Sequence, residues 1–495
     1  MASLWQANTS FPHFPTLQGD LNREVAVIGG GIAGLLTAAL LRRAGLEAVV
    51  LEREQIASGV TAGTTAKITA QHGLIYDKLI RRFGKERARQ YAHANQQAVE
   101  AYWALTAELG ISCGLEETDA YVYSTADGRK TEREAAAART LGLPAALVTK
   151  TALPFSVTNA VRFSKQAQFH PLAFLAALCK ELEIYEHTMA TAIGNGEVLT
   201  TGGVVRAKAV VLATHFPIIN VPGFFFLRMH QERSYVLALE NAAPVDGMYI
   251  GEEKNSLSFR NAEGYLLLGG AGTRTGKNGE GGNFERLWQS AKVFYPASKV
   301  KFQWAAQDCM PHDQLPMIGP VSGSLPGLYV ATGFQKWGMT TAMAAAEILT
   351  DLISGRENQD APVFSPQRFH PIVSAPRLLL DGAQTAYSIA KEKLELPRGA
   401  LLSIPNGTAA VIRVEGEKVG VYKTPEGGAY FVTVRCPHLG CRLEWNPEER
   451  SWDCPCHGSR FDYTGRLLNE PAQTEIHVPR QPVDATPPSD TEQSG

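Results

Sequence analysis

Four apolar residues, Val25-Ala26-Val27-Ile28, run without a break into Gly29-Gly30-Gly31-Ile32-Ala33-Gly34 and a helical stretch lasting to about Arg43. Gly45 follows at the place where helices commonly end on a residue with positive φ. A second apolar strand, Ala48 to Leu51, finishes at Glu52, with Arg53 beside it. Strand, G-x-G-x-x-G, helix, strand and acid in that order predict a βαβ unit. Its glycines let the backbone approach a pyrophosphate at the helix N-terminus, and its acid takes a ribose hydroxyl. Gly29, Gly31, Gly34, Glu52 and Arg53 are therefore candidate dinucleotide contacts. The glycine spacing alone is a weak signal; the flanking strands and the correctly placed acid make it specific.

A second constraint lies near the C-terminus, in Cys436-Pro437-His438-Leu439-Gly440-Cys441 and Cys454-Pro455-Cys456-His457-Gly458-Ser459. A C-x-H pair and a C-x-x-H pair supply two thiolates and two imidazoles, the donor set of a [2Fe-2S] centre whose second iron is held by histidines. Two Cys and two His also suit tetrahedral zinc. The two loops and the Gly-Ser that follows resemble Rieske proteins. That resemblance implies Cys436, His438, Cys454 and His457 as iron ligands and a disulfide between Cys441 and Cys456. It also puts the Ser459 hydroxyl on a bridging sulfide, and Phe461 where high-potential members carry tyrosine. The implied potential is intermediate to high, within about −150 to +300 mV. Such a centre moves one electron at a time, so the rest of the chain must supply the organic chemistry.

Further along, Gly327-Leu328-Tyr329-Val330-Ala331-Thr332-Gly333 reads as a strand into a glycine turn. After Phe334-Gln335-Lys336-Trp337, the run Gly338-Met339-Thr340 opens an alanine-rich helix to about Ile353. This resembles the second flavin-contacting segment of the D-amino-acid oxidase and glycine oxidase superfamily, where a helix N-terminus favours the negative charge of the reduced ring. Ser58 to Lys67, with Thr64, Thr65 and Lys67, is similar to the loop that covers the flavin there. Gln168-Phe169-His170-Pro171 resembles the family's entry into a flavin-domain helix. Val210 to Thr214 matches its returning strand, and Asp313 to Pro320 its D-x-x-P-I-I-G box with Met317 for the first isoleucine. The resemblance covers about 20–355 and 400–480. The pairing resembles a bacterial group of FAD-dependent oxidoreductases with a Rieske domain, which share Thr64 to Gly73 and the Trp5 and Phe14-Pro15 arm.

The implied fold class is an α/β Rossmann-type FAD domain with an antiparallel-sheet substrate domain, followed by an all-β Rieske domain. Gly333, Gly338, Met339, Thr340 and Thr214 join the implied FAD contacts. The expected organisation is an N-terminal arm over 1–20, an oxidoreductase domain over 21–355, a linker with a short helix over 356–400, a Rieske domain over 401–482 and a disordered tail over 483–495. Within the oxidoreductase domain, flavin segments take about 21–80, 155–230 and 305–355, and inserts over 81–154 and 231–304 roof the substrate. Gly269-Gly270-Ala271-Gly272 reads as a turn, with no second dinucleotide unit behind it. The linker helix, about Asp381 to Leu394, is expected to pack between modules.

With 44% hydrophobic and 19% charged residues and a formal charge of −2, the chain is expected to be globular, with neither nucleic acid nor an anionic membrane as its main partner. No apolar run approaches the roughly 20 residues of a membrane span. The first twenty residues lack the basic and apolar regions of a secretory signal, so a cytoplasmic address is expected. Cys113, Cys179 and Cys309 read as plain buried residues.

FAD accepts two electrons and the cluster one, which suggests an order. A small donor such as an amine or amino acid gives a hydride to FAD, electrons pass singly to the cluster, and an external protein accepts them. On the roof, Tyr235, Arg260 and Arg274 are substrate candidates, since a guanidinium fork clamps carboxylates. Lys336 is the candidate nearest the flavin; His72 and His215 lie in flavin-side loops. Two alternatives stand beside this reading: reverse flow, with the cluster feeding FAD, and a non-catalytic electron-transfer or redox-sensing module.

Overall fold

The structure is a computed structural model and describes residues 2–368, 404–414 and 417–477. The expected linker helix and C-terminal tail lie outside the described residues. The strand Leu21–Ile28 sits in the middle of an eight-stranded sheet, between Val204–Leu212 and Ala48–Leu51, both parallel to it. Leu328–Thr332 and Glu183–Tyr185 extend the parallel set on either side, and Met317–Pro320 pairs antiparallel at the edge. Val25 to Ile28 are buried on both faces: Val25 and Val27 share the core under the helix Ile32–Arg43, and Ala26 and Ile28 share the opposite core with Val198, Phe216 and Phe225. The helix Ile32–Arg43 buries Leu35, Leu36 and Leu41 completely and packs against the helix Gly338–Ile353. Each buried leucine contributes about 1.5–3 kcal/mol. A β-carbon on Gly34 would collide with the Gly29 carbonyl oxygen, so this helix can lie on its strand only with glycine there.

A nine-stranded sheet forms the second layer, in the order Lys299–Pro311, Met229–Glu240, Tyr265–Arg274, Ser258–Ala262, Gly247–Gly251, Glu116–Ser124, Asn159–Gln168 and Lys67–Ile68, with Ala145–Val148 also paired to Asn159–Gln168. It is antiparallel except between Gly247–Gly251 and Glu116–Ser124. Two strands from the expected flavin segments, Lys67–Ile68 and Asn159–Gln168, therefore belong to the roof. The expected turn at Gly269 to Gly272 is corrected too: these residues continue the strand Tyr265–Arg274. Gly270 at φ +157° and Ala271 at φ +49° absorb a register irregularity opposite Arg233 and Tyr235, which is a bulge and not a reversal. The helix Tyr76–Glu108 is kinked at Gly84, where φ is +83°.

The arm begins with a short helix, Leu4–Ala7, whose Ser3 and Gln6 form a capping box. Trp5 is fully buried and donates to the Thr64 carbonyl at 2.7 Å. Past the last oxidoreductase helix, Arg368 forks onto Asp313 at 2.8 and 3.1 Å, holding the end of this domain to the D-x-x-P box. The C-terminal domain is all-β. Ala409–Val414, Glu417–Lys423 and Ala429–Thr433 form one antiparallel sheet, and four short strands from Glu444–Asn446 to Leu467–Asn469 form another. Its core is small, built on Trp452, Phe461, Leu443 and Val432. No helix among the described residues is long and apolar enough to cross a membrane.

Candidate functional site

A cavity of about 970 Å³ runs along the C-terminal ends of the parallel strands and under the roof sheet. Eleven of the thirteen expected FAD contacts line it; Gly34 and Thr340 do not. Gly34 serves helix packing, and the Thr340 hydroxyl is bound to the backbone of Thr69. The site fits a dinucleotide. Neither the Ile32–Arg43 helix nor the Gly338–Ile353 helix is capped by its own N-cap residue, Gly31 or Trp337; Thr61 Oγ1 takes Ile32 N at 3.1 Å, and the remaining N–H donors of the first turns stand at the cavity wall. Glu52 accepts from Gly30 N at 2.7 Å and Glu54 N at 2.8 Å, and burial holds its carboxyl above the usual range.

The covering loop is pinned residue by residue. Trp304 donates to the Gly63 carbonyl at 2.9 Å, Trp5 to Thr64, and the Arg260 guanidinium to Thr65 at 2.7 Å and also to Ala66. Arg260 is buried and lies 5.5 Å from the Trp5 ring centroid. This corrects its expected role: its guanidinium is occupied by backbone carbonyls and holds the loop, and it does not line the cavity. Lys67, on the same loop, donates to Ser258 Oγ at 2.9 Å, and burial pulls its amine down to about 7.

The other roof candidates are also committed. The Tyr235 hydroxyl accepts from Asn278 Nδ2 at 2.9 Å. Arg274 donates to the carbonyls of Pro455 and Cys456 at 3.2 and 3.1 Å, so it touches the cluster loop and is no free carboxylate clamp. Lys336 reaches the cavity wall but pairs with Glu232 at 3.1 Å. Glu232 is held down to about 2, first by its bond from His230. Its cross-strand neighbour Asp308 also lines the cavity, and burial raises it to about 7. His215 sits at φ +64° with Nε2 buried and unbonded, and desolvation pushes its imidazole down to about 4. His72 lies behind the cavity, stacked on Trp337 at 4.9 Å and bonded to the Tyr91 hydroxyl.

Both cluster loops are closed by the same two backbone bonds. Cys436 N donates to Cys441 O at 2.8 Å and Gly440 N to Cys436 O at 2.9 Å; Cys454 N donates to Ser459 O at 2.8 Å and Gly458 N to Cys454 O at 3.0 Å. Gly440 and Gly458 have φ of +79° and +88°, which glycine adopts without strain. Opposed loops bring Cys436 and Cys454 into contact, while the rings of His438 and His457 stand perpendicular at 5.0 Å. Two thiols and two imidazoles brought together in this way fit the donor set of a [2Fe-2S] centre held by two Cys and two His. The buried Nδ1 of His438 has no hydrogen-bond partner, and burial holds the ring neutral, pushed down to about 4, as a metal ligand requires. Ser459 Oγ accepts from Ala472 N at 3.0 Å, leaving its proton for the Cys436 side. Cys441 and Cys456, the expected disulfide partners, come together beside Cys454 behind the two loops. The three sulfurs lie within 4.8 Å of one another.

Sequence reading missed the residues that join the two domains. Gln231 Nε2 donates to His457 O at 2.7 Å and Glu470 O at 3.0 Å; Gln307 Nε2 donates to Gly458 O at 2.9 Å and to Gln231 Oε1 at 2.7 Å. Buried Arg233 pairs with Glu449, and Arg53, at the cavity wall, pairs with Glu470 at 3.1 Å. Asn220 Oδ1 lies 2.7 Å from His438 Nε2. One signal was available. Met229, Gln231, Arg233 and Tyr235 alternate on a buried face of their strand, so Gln231 and Arg233 are polar residues at inward positions.

Comparison with known proteins agrees with this geometry. A family model for FAD dependent oxidoreductases (DAO) matches residues 24–352, and a Rieske [2Fe-2S] domain model matches residues 397–481. The chain is 36% identical over 485 residues to the Rieske 2Fe-2S iron-sulfur protein YhfW of Bacillus subtilis (strain 168), across 94% of this chain and 95% of the relative. It is 35% identical over 95 residues to the iron-sulfur subunit of the cytochrome b6-f complex of Synechococcus sp. (strain CC9605), across 18% of this chain and 52% of that one. Glycine oxidase from Geobacillus kaustophilus superposes with a TM-score of 0.61 at 20% identity, covering 71% of this chain and all, 100%, of that one. L-Amino acid deaminase from Proteus myxofaciens gives 0.60 at 17% identity, covering 73% and 97%. At these identities the two structures show a shared fold.

Proposed function

Because the chain belongs to the DAO family of FAD-dependent oxidoreductases and carries a Rieske [2Fe-2S] domain, we propose that it oxidises a small amine or amino-acid-like donor and sends the electrons through its own cluster to an external protein. When bound, FAD supplies two-electron acceptance and the cluster supplies one-electron transfer. One observation carries the reading. The cavity that holds the dinucleotide-binding residues is also lined by Leu468, Asn469, Glu470 and Ala472 of the Rieske domain, and both cluster loops rest on the oxidoreductase domain.

The chain's own residues contribute position and desolvation. The uncapped start of the Gly338–Ile353 helix offers N–H donors at the cavity, favouring negative charge beside it. Glu232, Asp308 and Lys336 make a compensated cluster on the wall. Asp308, raised to about 7, can take or hold a proton near neutral pH. The pinned loop Gly63 to Lys67 keeps water from one side of the site. Solved relatives of this fold include enzymes named for glycine and for L-amino acids, which supports the donor class.

The test is anaerobic titration of the protein with amines and amino acids, following flavin bleaching and the low-g EPR signal of a reduced Rieske centre. Bleaching followed by that signal is expected. Reduction of the cluster by an added ferredoxin system, with no donor bleaching the flavin, would reverse the proposed direction.

A further inference from the structure

The first cluster loop meets the oxidoreductase domain through an iron ligand itself. His438 Nε2 lies 2.7 Å from Asn220 Oδ1. The Phe226 ring stands edge-on to His438 and His457, with centroids 6.3 and 5.9 Å away. Asn220 is fixed in place: Phe224 N donates to its carbonyl at 3.1 Å, and fully buried Phe225 anchors the turn that follows. A neutral imidazole carries one ring proton. Nδ1 of His438 is buried with no acceptor, so it is the nitrogen that would hold the iron, and the ring proton would then sit on Nε2 where Asn220 Oδ1 can accept it.

We propose that Asn220 is a positioning residue for the cluster: an acceptor supplied by the oxidoreductase domain that sets the tautomer and orientation of His438 and lowers the cluster's reduction potential. An acceptor on the far N–H of a ligating histidine raises the basicity of the ligating nitrogen. A more basic ligand stabilises the oxidised iron over the reduced, which moves the potential down. Docking of the Rieske domain is thereby written into its redox poise. The inference rests on the cluster alone and holds whichever way electrons flow.

A merely structural Asn220 would act like its neighbour in the same interface. Gln473 Nε2 donates to the Ile218 carbonyl at 2.6 Å, two residues from Asn220, and that bond joins the domains without touching a ligand. The experiment is an EPR-monitored redox titration of the full chain, loaded with both cofactors, for the parent, Asn220→Leu, Asn220→Asp and Gln473→Leu. Asn220→Leu is expected to raise the cluster potential, by on the order of a tenfold change in the one-electron equilibrium, or about 59 mV. It should also alter the g values and the histidine nitrogen couplings. Asn220→Asp, a stronger acceptor, should lower the potential, and Gln473→Leu should leave it in place. The proposal is overturned if Asn220→Leu leaves the potential unmoved or lowers it, or if Gln473→Leu moves it equally. Should the leucine variant fail to load its cluster, Asn220→Asp decides: a lower potential supports the proposal, and an unchanged or higher one overturns it.

Discussion

Loops 436–441 and 454–459 share one backbone hydrogen-bond pattern and one glycine conformation, yet their surroundings differ. The first touches the oxidoreductase domain through the Asn220–His438 bond and the Phe226 ring, and leaves Leu439 45% exposed. The second is buried, and the carbonyls of Pro455, Cys456, His457 and Gly458 all accept from roof-sheet side chains. Equal local geometry therefore says nothing about how tightly each loop is held. The second loop anchors the domain, and the first is placed by that anchorage.

Alanine at the two equivalent glycines offers the sharpest break of this comparison. At Gly440 a β-carbon meets only the movable Arg435 guanidinium at 3.3 Å, so Gly440→Ala carries left-handed strain of about 1–2 kcal/mol. At Gly458 it would sit 2.6 Å from the Gln231 β-carbon, adding overpacking, so Gly458→Ala should lose about 3–4 kcal/mol in urea unfolding followed by cluster absorbance. Equal losses would refute the asymmetry. Arg233→Met comes next. It strips one partner from Glu449, whose side chain is only 14% exposed and which keeps Arg460 at 3.2 Å, so a loss of about 3 kcal/mol is expected, read the same way. Gln307→Leu leaves the Gly458 carbonyl and Gln231 Oε1 without their donor and should cost about 2 kcal/mol, detected as earlier thermal loss of the cluster than of the flavin.

The smallest effect is a pH dependence on the second-loop side, from Asp308 beside Gln307. Its folded pKa is raised to about 7 by burial, above its unfolded value, so its contribution is full at low pH and is lost as pH rises through about 7. Parent stability should fall between pH 5 and 8 more than that of Asp308→Asn. Parallel profiles in the two proteins would show that Asp308 does not titrate there.

Both cofactors were legible because each depends on residues close together in sequence. Gly29 to Glu52 forms one βαβ unit, and the expected iron ligands lie in two six-residue loops. The roof sheet was legible as strands but not in its membership: Asn159–Gln168 pairs with residues far along the chain, and no local pattern reports a partner. Arg260 and Arg274 illustrate the limit for site residues. An arginine on a roof strand has the chemistry of a substrate clamp, and only the fold shows that its donors are taken by the Thr65 and Pro455 carbonyls. The bulge at Gly270 reads as a turn for a related reason, since glycine licenses both and the cross-strand register decides.

The burial of the second loop has a consequence for how the protein is made. Cys454 is 1% exposed, and the carbonyls beside it are claimed by Gln231, Arg274 and Gln307. All three of those residues leave the ribosome before Cys436 does, so the receiving surface can be finished first. Docking covers the second-loop side of the cluster site, while the first loop keeps an open edge at Leu439. Loading is therefore expected to be faster before the domains close, and cutting a docking contact, as in Gln307→Leu, should speed cluster uptake by the apoprotein.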